Sequence, residues 1–365
     1  MDFRKSLHTL LHPDPLGSCI GPNEHVVFFP TAADFQTAGE RGGGCWHVPI
    51  HGWIYTPAEF SRLRRAGLWF AKHFVSRTAR QDAPAMALFQ ARAGAFLADN
   101  ERWQRVTIRL GDMLFKLKRS APSGHFQCRL EVPAEHVYEL LTRQSPQATD
   151  SGPWLSFRAL TRTDDTRIFD GRVLLLPPEG ISVISDIDDT IKITQVASRR
   201  KMLASTFLKE FASVPQMAAL YQRWAKGGAA FHYVSASPWH LHPFLAEFLG
   251  GQGFPEGTFH LRDLRLLPPD LHRTFRPSRH IKLRHARVLL ERFPRRRFIL
   301  VGDSGESDPA IYARLCRDFP RQVQKICIRN VSGDLPSASR WAKIRAQMPR
   351  EKFQLFTHPE EIVDF

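Results

Sequence analysis

The chain is poor in cysteine and uses it without pattern. Of 365 residues only five are cysteine, at positions 19, 45, 128, 316 and 327. That odd set contains no CxxC pair, which argues against both a disulfide framework and a zinc cluster. No apolar run is long enough to span a bilayer. The opening MDFRKSLHTLLHPDP begins with charge but lacks the sustained apolar stretch of a secretory leader. Internal repeats are missing too. Together these absences point to a reducing, cytoplasmic setting. What the chain has in excess is positive charge: 51 Lys+Arg against 36 Asp+Glu, for a net +15. Such a balance favours an anionic partner, whether a phosphate ester, an acidic lipid or a nucleic acid, without choosing among them.

The length suits two domains of ordinary size, each able to bury a core. The first half reads as β structure with helical insertions. RVTIRL places Val106, Ile108 and Leu110 on one face, and HFQCRLEV alternates Phe126, Cys128, Leu130 and Val132 with Gln127, Arg129 and Glu131. These are half-buried, antiparallel strands of a sandwich-like domain. A helix is expected over about 57–74, with Thr56 as N-cap, Pro57 at the first helical position, Glu59 three residues after the cap, and apolar residues at 60, 63, 67, 70 and 74. A second is expected over about 85–98, in AMALFQARAGAFLADN. Pro177, Pro178 and Gly180 punctuate the chain, dividing it into a β-rich domain, 1–178, and a second domain, 179–365.

After that boundary the pattern becomes strand, helix, strand, helix. ISVIS, FHYVS, FILVG and VQKICIRNV read as buried strands. TFLKEF, PQMAALYQRWAKGG, a segment beginning at Ser237–Pro238, RHIKLRHARVLLERFP and Pro309 to Phe319 read as helices. Short apolar strands alternating with helices predict an α/β domain with a parallel sheet and right-handed crossovers. Sheets of that kind bind ligands at the carboxyl ends of their strands.

The charged residues of interest fall at those ends. ISVISDIDDTIKITQV runs from an apolar strand directly into Asp186 and Asp188. Two carboxylates so close repel unless a proton or a cation intervenes, and Mg²⁺ accepts one or two carboxylates together with water and a substrate phosphate oxygen. In phosphoryl transfer Asp186 is placed to attack phosphorus, and Asp188 to protonate the leaving alkoxide and later deprotonate water. An Asp-rich loop alone is as often a turn, so the later strands matter. FHYVSASP ends in Ser235, with a hydroxyl suited to a phosphoryl oxygen; Ser237 reads better as a helix cap. Lys282, the only lysine between Lys226 and Lys325, is suited to neutralising the transferring group. RFILVGDSGESDPAIY ends in Asp303, which would complete a metal site. Asp308 would either orient Lys282 or bind the metal through water.

The run of acidic DxDxT, strand-terminal Ser, Lys and GDxxxxD resembles the haloacid dehalogenase superfamily of aspartate-dependent phosphohydrolases. GISVISDIDDTIKIT, FHYVSASPWHL and RFILVGDSGESDPAIYARL resemble the catalytic domain of the actin-patch-associated phosphatidate phosphatase family over about residues 178–330. HVPIHGWIYTP and SGHFQCRLEVP resemble that family's N-terminal region more loosely. The resemblance implies a haloacid dehalogenase-like Rossmannoid sheet without a large cap. It implies Asp186 as nucleophile and Asp188 as acid/base, with Thr190, Ser235 and Lys282 at the phosphoryl group. It further implies Mg²⁺ at Asp186, the Asp188 backbone carbonyl and Asp303, with Asp308 in support.

The expected activity is Mg²⁺-dependent hydrolysis of phosphatidic acid to diacylglycerol through an aspartyl-phosphate. The stretches from Thr190 to Ser235 and from Ser235 to Lys282 leave no room for a substantial lid, which suits a phosphate presented on a bulky object such as a bilayer. The arginines of 262–297 and the Arg199, Arg200, Lys201 run would supply a basic rim for peripheral attachment to anionic phospholipid. The alternatives are the same chemistry on a phosphoprotein, a nucleic-acid end or another phospholipid, and a non-catalytic sensor of anionic lipid. The intact Asp186 and Asp188 argue against the sensor. Nucleic acid is not expected, because the basic 262–297 stretch offers only Phe275 and Phe293 for base stacking.

Overall fold

The computed structural model describes residues 20–37, 43–57, 82–143, 153–194, 199–263, 279–333 and 339–362. The expected helix over 57–74 lies almost wholly outside them. Thr56, its expected cap, ends a strand instead, and its hydroxyl donates to Glu101 Oε1 at 2.7 Å. The chain forms two compact units. One comprises Met1–Lys72, Gly94–Gln147 and Pro153–Leu175; the other comprises His73–Ala93, Ala148–Gly152 and Leu176–Phe365.

The first unit holds strands β1 (His25–Phe29), β2 (Thr31–Thr37), β3 (Gly44–Thr56), β4 (Asp99–Asn100), β5 (Thr107–Leu110), β6 (Met113–Lys116), β7 (His125–Pro133), β8 (Trp154–Ala159) and β9 (Asp170–Leu176). Hydrogen bonds link all nine into one continuous sheet, whose strands meet over one core: Ile50 and Phe126 of β3 and β7 cluster with Ile108, Leu155 and Phe157 of β5 and β8. The long β3 makes this continuity possible: one edge pairs β7 along Cys45–Trp53, while β2 and β1 share its other edge in succession. Alternation works as the strand period requires. Val106, Ile108 and Leu110 are buried, as are Phe126 and Val132, while Gln127, Arg129 and Glu131 face outward. Helix α1 (Ala83–Phe96) follows the alanine-rich segment, and α2 (Ala134–Arg143) follows β7. The sequence groups α1 with the β-rich half, yet its residues up to Ala93 belong to the second unit.

The second unit is built on a six-stranded sheet. Its strands are β10 (Ile181–Asp186), β11 (Ala230–Pro238), β12 (Gly257–Arg262), β13 (Arg297–Asp303), β14 (Val323–Arg329) and β15 (Phe353–Phe356), ordered β12-β11-β10-β13-β14-β15 with every adjacent pair parallel. Helices α3 (Arg199–Phe207), α4 (Met217–Lys226), α5 (His242–Gly251), α6 (Arg279–Arg292), α7 (Asp308–Asp318) and α8 (Ser339–Arg345) accompany the strands. No described helix is long and apolar enough to cross a membrane.

Some elements differ from the sequence reading. The helix expected over TFLKEF lies earlier, at Arg199–Phe207, and β11 continues through Ser237 and Pro238 where a helix start was expected. The two edge strands, β12 and β15, had no counterpart in the apolar pattern. Of the arginines expected to form a basic rim, Arg279, Arg284, Arg295 and Arg297 are exposed, but Arg296 is 3% exposed.

Arg296 is a structural hub. Its guanidinium donates to the carbonyls of Pro177 (2.9 Å), Glu179 (2.7 Å) and Ile181 (2.6 Å) and to Ser182 Oγ (2.9 Å), fixing the backbone that feeds β10. Gly180, at φ 124°, passes so close that a Cβ would lie 2.9 Å from Arg296 Nη1. Replacing Arg296 with Leu removes four hydrogen bonds from this partly buried segment, and the expected cost is about 3 kcal/mol of unfolding free energy. Urea denaturation checks this; a loss within error of zero would show that the hub does not anchor β10.

Candidate active site

β10 is central in the sheet, and its apolar residues Val183 and Ile184 are fully buried. Burial on both faces leaves only the strand's carboxyl end free to carry chemistry. Asp186 is its last residue and is also fully buried. The loop beyond is tight. The Lys192 N–H donates to Ile187 O (2.9 Å) and the Asp189 N–H to Lys192 O (2.7 Å). Asp189 takes a left-handed φ of 55°, tolerable for aspartate because its side chain bonds locally: Oδ1 accepts the Thr194 N–H at 2.7 Å. Arg329 Nη1, from the end of β14, holds the Asp189 carbonyl at 2.7 Å. Thr190 thereby comes under Asp186, donating to Oδ2 at 3.0 Å.

Asp303 ends β13, the neighbour of β10. Its Oδ1 accepts the N–H groups of Gly305 (2.6 Å) and Glu306 (3.0 Å). Gly302 permits the next step. A Cβ there would lie 2.6 Å from Asp308 Oδ2 and 2.8 Å from Tyr312, so only glycine lets the start of α7 approach the strand. Asp308 Oδ2 accepts the Asp303 N–H at 3.3 Å. Carboxylate oxygens of Asp186, Asp303 and Asp308 all lie within 4.8 Å of one another.

Lys282 enters this group from α6. Its Nζ is 2.6 Å from Asp186 Oδ1, 2.6 Å from Glu306 Oε2 and 3.0 Å from Asp308 Oδ1. Asp186 Oδ1 thus has an ion-pair partner, while Asp303 Oδ2 is a buried oxygen with no hydrogen-bond donor among the described residues. Four carboxyl groups thus share one ammonium. Burial, followed by the charges of its carboxylate neighbours, pushes Asp186 well up, with Lys282 opposing. Asp303 rises to about 8 for the same reasons, and Glu306 rises as well. Burial alone would lower Lys282, but its carboxylate neighbours outweigh that and hold it well above its ordinary value. A donorless Asp303 Oδ2 in a buried pocket with more carboxyl groups than cations fits a hard divalent cation, which Asp186 and Asp303 would hold with Asp308 beside them.

Asp188 lies in a separate electrostatic setting. Its Oδ1 faces Lys192 Nζ (2.8 Å) and accepts the Thr194 hydroxyl (2.8 Å); its Oδ2 accepts Ser235 Oγ (3.0 Å) and Ser237 Oγ (3.2 Å). Burial pushes its carboxyl up, but the Lys192 charge and these hydrogen bonds win, bringing it down to about 2. A register shift in β11 between Val234 and Pro238 frees Ser235 and Ser237, which alternate onto one side of the extended chain, to reach the same oxygen.

The structure therefore gathers Asp186, Thr190, Lys282, Asp303 and Asp308 around one point, and joins Asp188 to Ser235. Sequence reasoning did not single out Lys192, Glu306 or Arg329, and gave Ser237 only a capping role. Glu306 stood in plain view as the middle acid of DSGESD. Lys192 was masked by alternation: in IKIT the lysine is 2% exposed and Ile193 is 41% exposed, the reverse of the usual preference.

Comparison with known proteins locates the same stretch. Residues 181–330 match the family model described as phosphatidate phosphatase APP1, catalytic domain. The phosphatidate phosphatase APP1 of Saccharomyces cerevisiae is 35% identical over 173 residues, covering 44% of this chain and 28% of the relative. An uncharacterized protein of Schizosaccharomyces pombe is 32% identical over 166 residues, covering 44% of this chain and 27% of the relative. The chain thus spans under a third of the length of these curated relatives. Among solved structures, a chain of the Pnkp1/Rnl/Hen1 complex aligns at 14% identity and a TM-score of 0.29, over 50% of this chain and 57% of that one, a likeness too low to carry an argument.

The raised carboxyl groups set a pH signature. Asp303 sits near 3.8 when unfolded and about 8 when folded, so the folded state keeps a proton that the unfolded chain releases. Its stabilising contribution is complete below about pH 4 and disappears as pH rises through 8. In chelator, the melting temperature should fall between pH 4 and 8, and Asp303→Asn should flatten that slope. Calorimetry across this range checks it; a melting temperature that rises with pH only in the wild type would contradict the assignment.

Proposed function

From the premise that residues 181–330 belong to the catalytic domain of the APP1-like phosphatidate phosphatase family, we propose that this chain hydrolyses phosphatidic acid to diacylglycerol and inorganic phosphate. The observation that carries the proposal is the buried cluster of the Asp186, Asp303 and Asp308 carboxylates beside Lys282 at the carboxyl edge of adjacent parallel strands.

In this reading the second unit is a haloacid dehalogenase-like domain, and each residue has a distinct task. A carboxylate oxygen of Asp186 attacks phosphorus, the bond from phosphorus to the diacylglycerol oxygen breaks, and an aspartyl-phosphate forms. Asp188 gives a proton to the departing alkoxide. It then takes one from the water that attacks the aspartyl-phosphate, returning Asp186 to its carboxylate. The value of about 2 for Asp188 belongs to a site without substrate. A phosphate monoester brings negative charge nearby and moves the carboxyl upward, toward the protonated form that the first step uses. Lys282, together with the hydroxyls of Thr190 and Ser235, compensates charge on the phosphoryl oxygens. A Mg²⁺ ion held by Asp186, Asp303 and the Asp188 backbone carbonyl would supply electrostatic stabilisation of the transferring phosphoryl group. Asp308 keeps Lys282 in place through contacts of 3.0 and 3.3 Å.

The phospholipid substrate is supported by the named yeast relative, by the net charge of +15, and by the small size of what intervenes between β10 and α4, where the described chain adds the nine-residue α3. Peripheral attachment to an anionic membrane from the cytoplasmic side fits the same features.

Phosphate release from phosphatidate in mixed micelles, measured beside soluble phosphomonoesters, tests this. Asp186→Asn should lower kcat by at least about a thousandfold, and Asp188→Asn by about a hundredfold or more, while chelation abolishes turnover and Mg²⁺ restores it. Undiminished release by Asp186→Asn would remove the mechanism. A preference for soluble esters over phosphatidate would remove the substrate assignment while leaving the mechanism in place.

A further inference from the structure

Asp188 faces a buried lysine, and the surroundings of that lysine include one residue beyond the family-matched stretch, Arg92. Lys192 Nζ, 2.8 Å from Asp188 Oδ1, also lies over the Phe211 ring, 4.5 Å from its centroid. The same ring carries the Arg92 guanidinium at 3.9 Å. Arg92, from α1, is 3% exposed. Its Nη1 donates to the carbonyls of Thr206 (2.9 Å) and Lys209 (2.6 Å), and its Nη2 is 3.8 Å from Glu210 Oε2. A second ring, Phe244 of α5, lies 5.9 Å from the guanidinium. Just beyond Phe211 the backbone is bonded to the loop of Asp188 itself. The Ile193 N–H donates to Ala212 O and the Val214 N–H to Ile191 O, each at 2.8 Å.

We infer that Arg92 is a positioning residue for the phosphoryl-transfer site, clamping the 206–211 segment so that Phe211 seats the Lys192 ammonium against Asp188. An ammonium on a flexible four-carbon stem ordinarily reaches for water. Keeping it buried beside one carboxylate oxygen requires a fixed surface for it to rest on, and a desolvated aromatic face provides one. The Phe211 ring is itself placed by a backbone segment whose carbonyls are held by the planar fork of Arg92, a geometry that lysine cannot reproduce. The matched stretch, 181–330, therefore lacks part of what holds its own Asp188. What Asp188 does chemically rests on the function proposed above, but the clamp itself does not.

The test uses the full chain with Arg92→Met, Arg92→Lys, Phe211→Leu and Lys192→Met, and reads two quantities. One is Mg²⁺-dependent phosphate release from phosphatidate. The other is hydrogen exchange at the Ile193 and Val214 amides. Arg92→Met and Phe211→Leu should each lower kcat about tenfold with KM nearly unchanged, and Arg92→Lys should fall between wild type and Arg92→Met. Adding Arg92→Met to Lys192→Met should cost little more, because both act through one ammonium. The two amides should exchange about tenfold faster in Arg92→Met, with those of β13 unaffected. The inference is overturned if both amides keep their wild-type rates, or if activity falls only in proportion to the unfolded fraction. Should the wild type release no phosphate from any ester, the proposed function fails, and the exchange rates alone decide the clamp.

Discussion

Four carboxyl groups and a single ammonium, all withdrawn from water, set the terms for the second unit. Asp186, Asp303, Glu306 and Asp308 cannot all be ionised around Lys282 without unbalanced buried charge, which a protein interior tolerates poorly. Asp186 and Asp303 are both pushed up by that imbalance, Asp303 to about 8. The donorless Asp303 Oδ2 expresses it as unmet coordination. A hard dication would relieve both, and the same imbalance makes the site receptive to one. Stability and activity therefore draw on the same carboxylates in opposite senses: what destabilises the metal-free fold is what would prepare the site for catalysis.

The rest of the unit can be understood as holding that cluster in place. Parallel pairing of β10 with β13 brings two strand ends side by side, so that two aspartates far apart in sequence meet. Gly302 removes the one Cβ that would keep Asp308 away. Asp189 accepts a left-handed backbone so that Thr190 turns under Asp186, and Arg329 holds the carbonyl this turn leaves. Asp188 is kept out of the crowded pocket and given its own cation in Lys192, which divides the carboxylates into two settings with opposite proton affinities. Without cation or substrate the two acids stand the wrong way round for nucleophile and proton donor, Asp186 raised and Asp188 low; a cation at Asp186 would lower the first, and a phosphate ester's charge beside Asp188 would raise the second.

Much of this was readable in the sequence, for a physical reason. Strands buried on both faces are uniformly apolar, so a run such as ISVIS or FILVG declares itself, and acids at its end stand out. Asp186, Asp188, Ser235 and Asp303 were singled out by that contrast, Asp308 by its place five residues after Asp303, and Lys282 as the only lysine between Lys226 and Lys325. What escaped notice lacked such signals. Edge strands β12 and β15 are short and partly polar. Lys192 interrupts an apolar run and would ordinarily point outward. Arg296 sits in a basic stretch where charge implies solvent, yet it is buried by four acceptors that the sequence does not show side by side. Arg92 is further still from local inference, since its partners come from residues 206–211, on the far side of the β-rich half.

The central claim is that the acidic pocket is an incomplete cation site, and metal binding addresses it most directly. Mg²⁺ titrated calorimetrically into chelator-treated protein, in two buffers of different ionisation enthalpy at pH 7, reports both affinity and protons displaced. The account predicts a single site whose occupation releases a proton from Asp303, with Asp303→Asn abolishing both binding and release. Binding without proton release, or binding indifferent to Asp303→Asn, would contradict it.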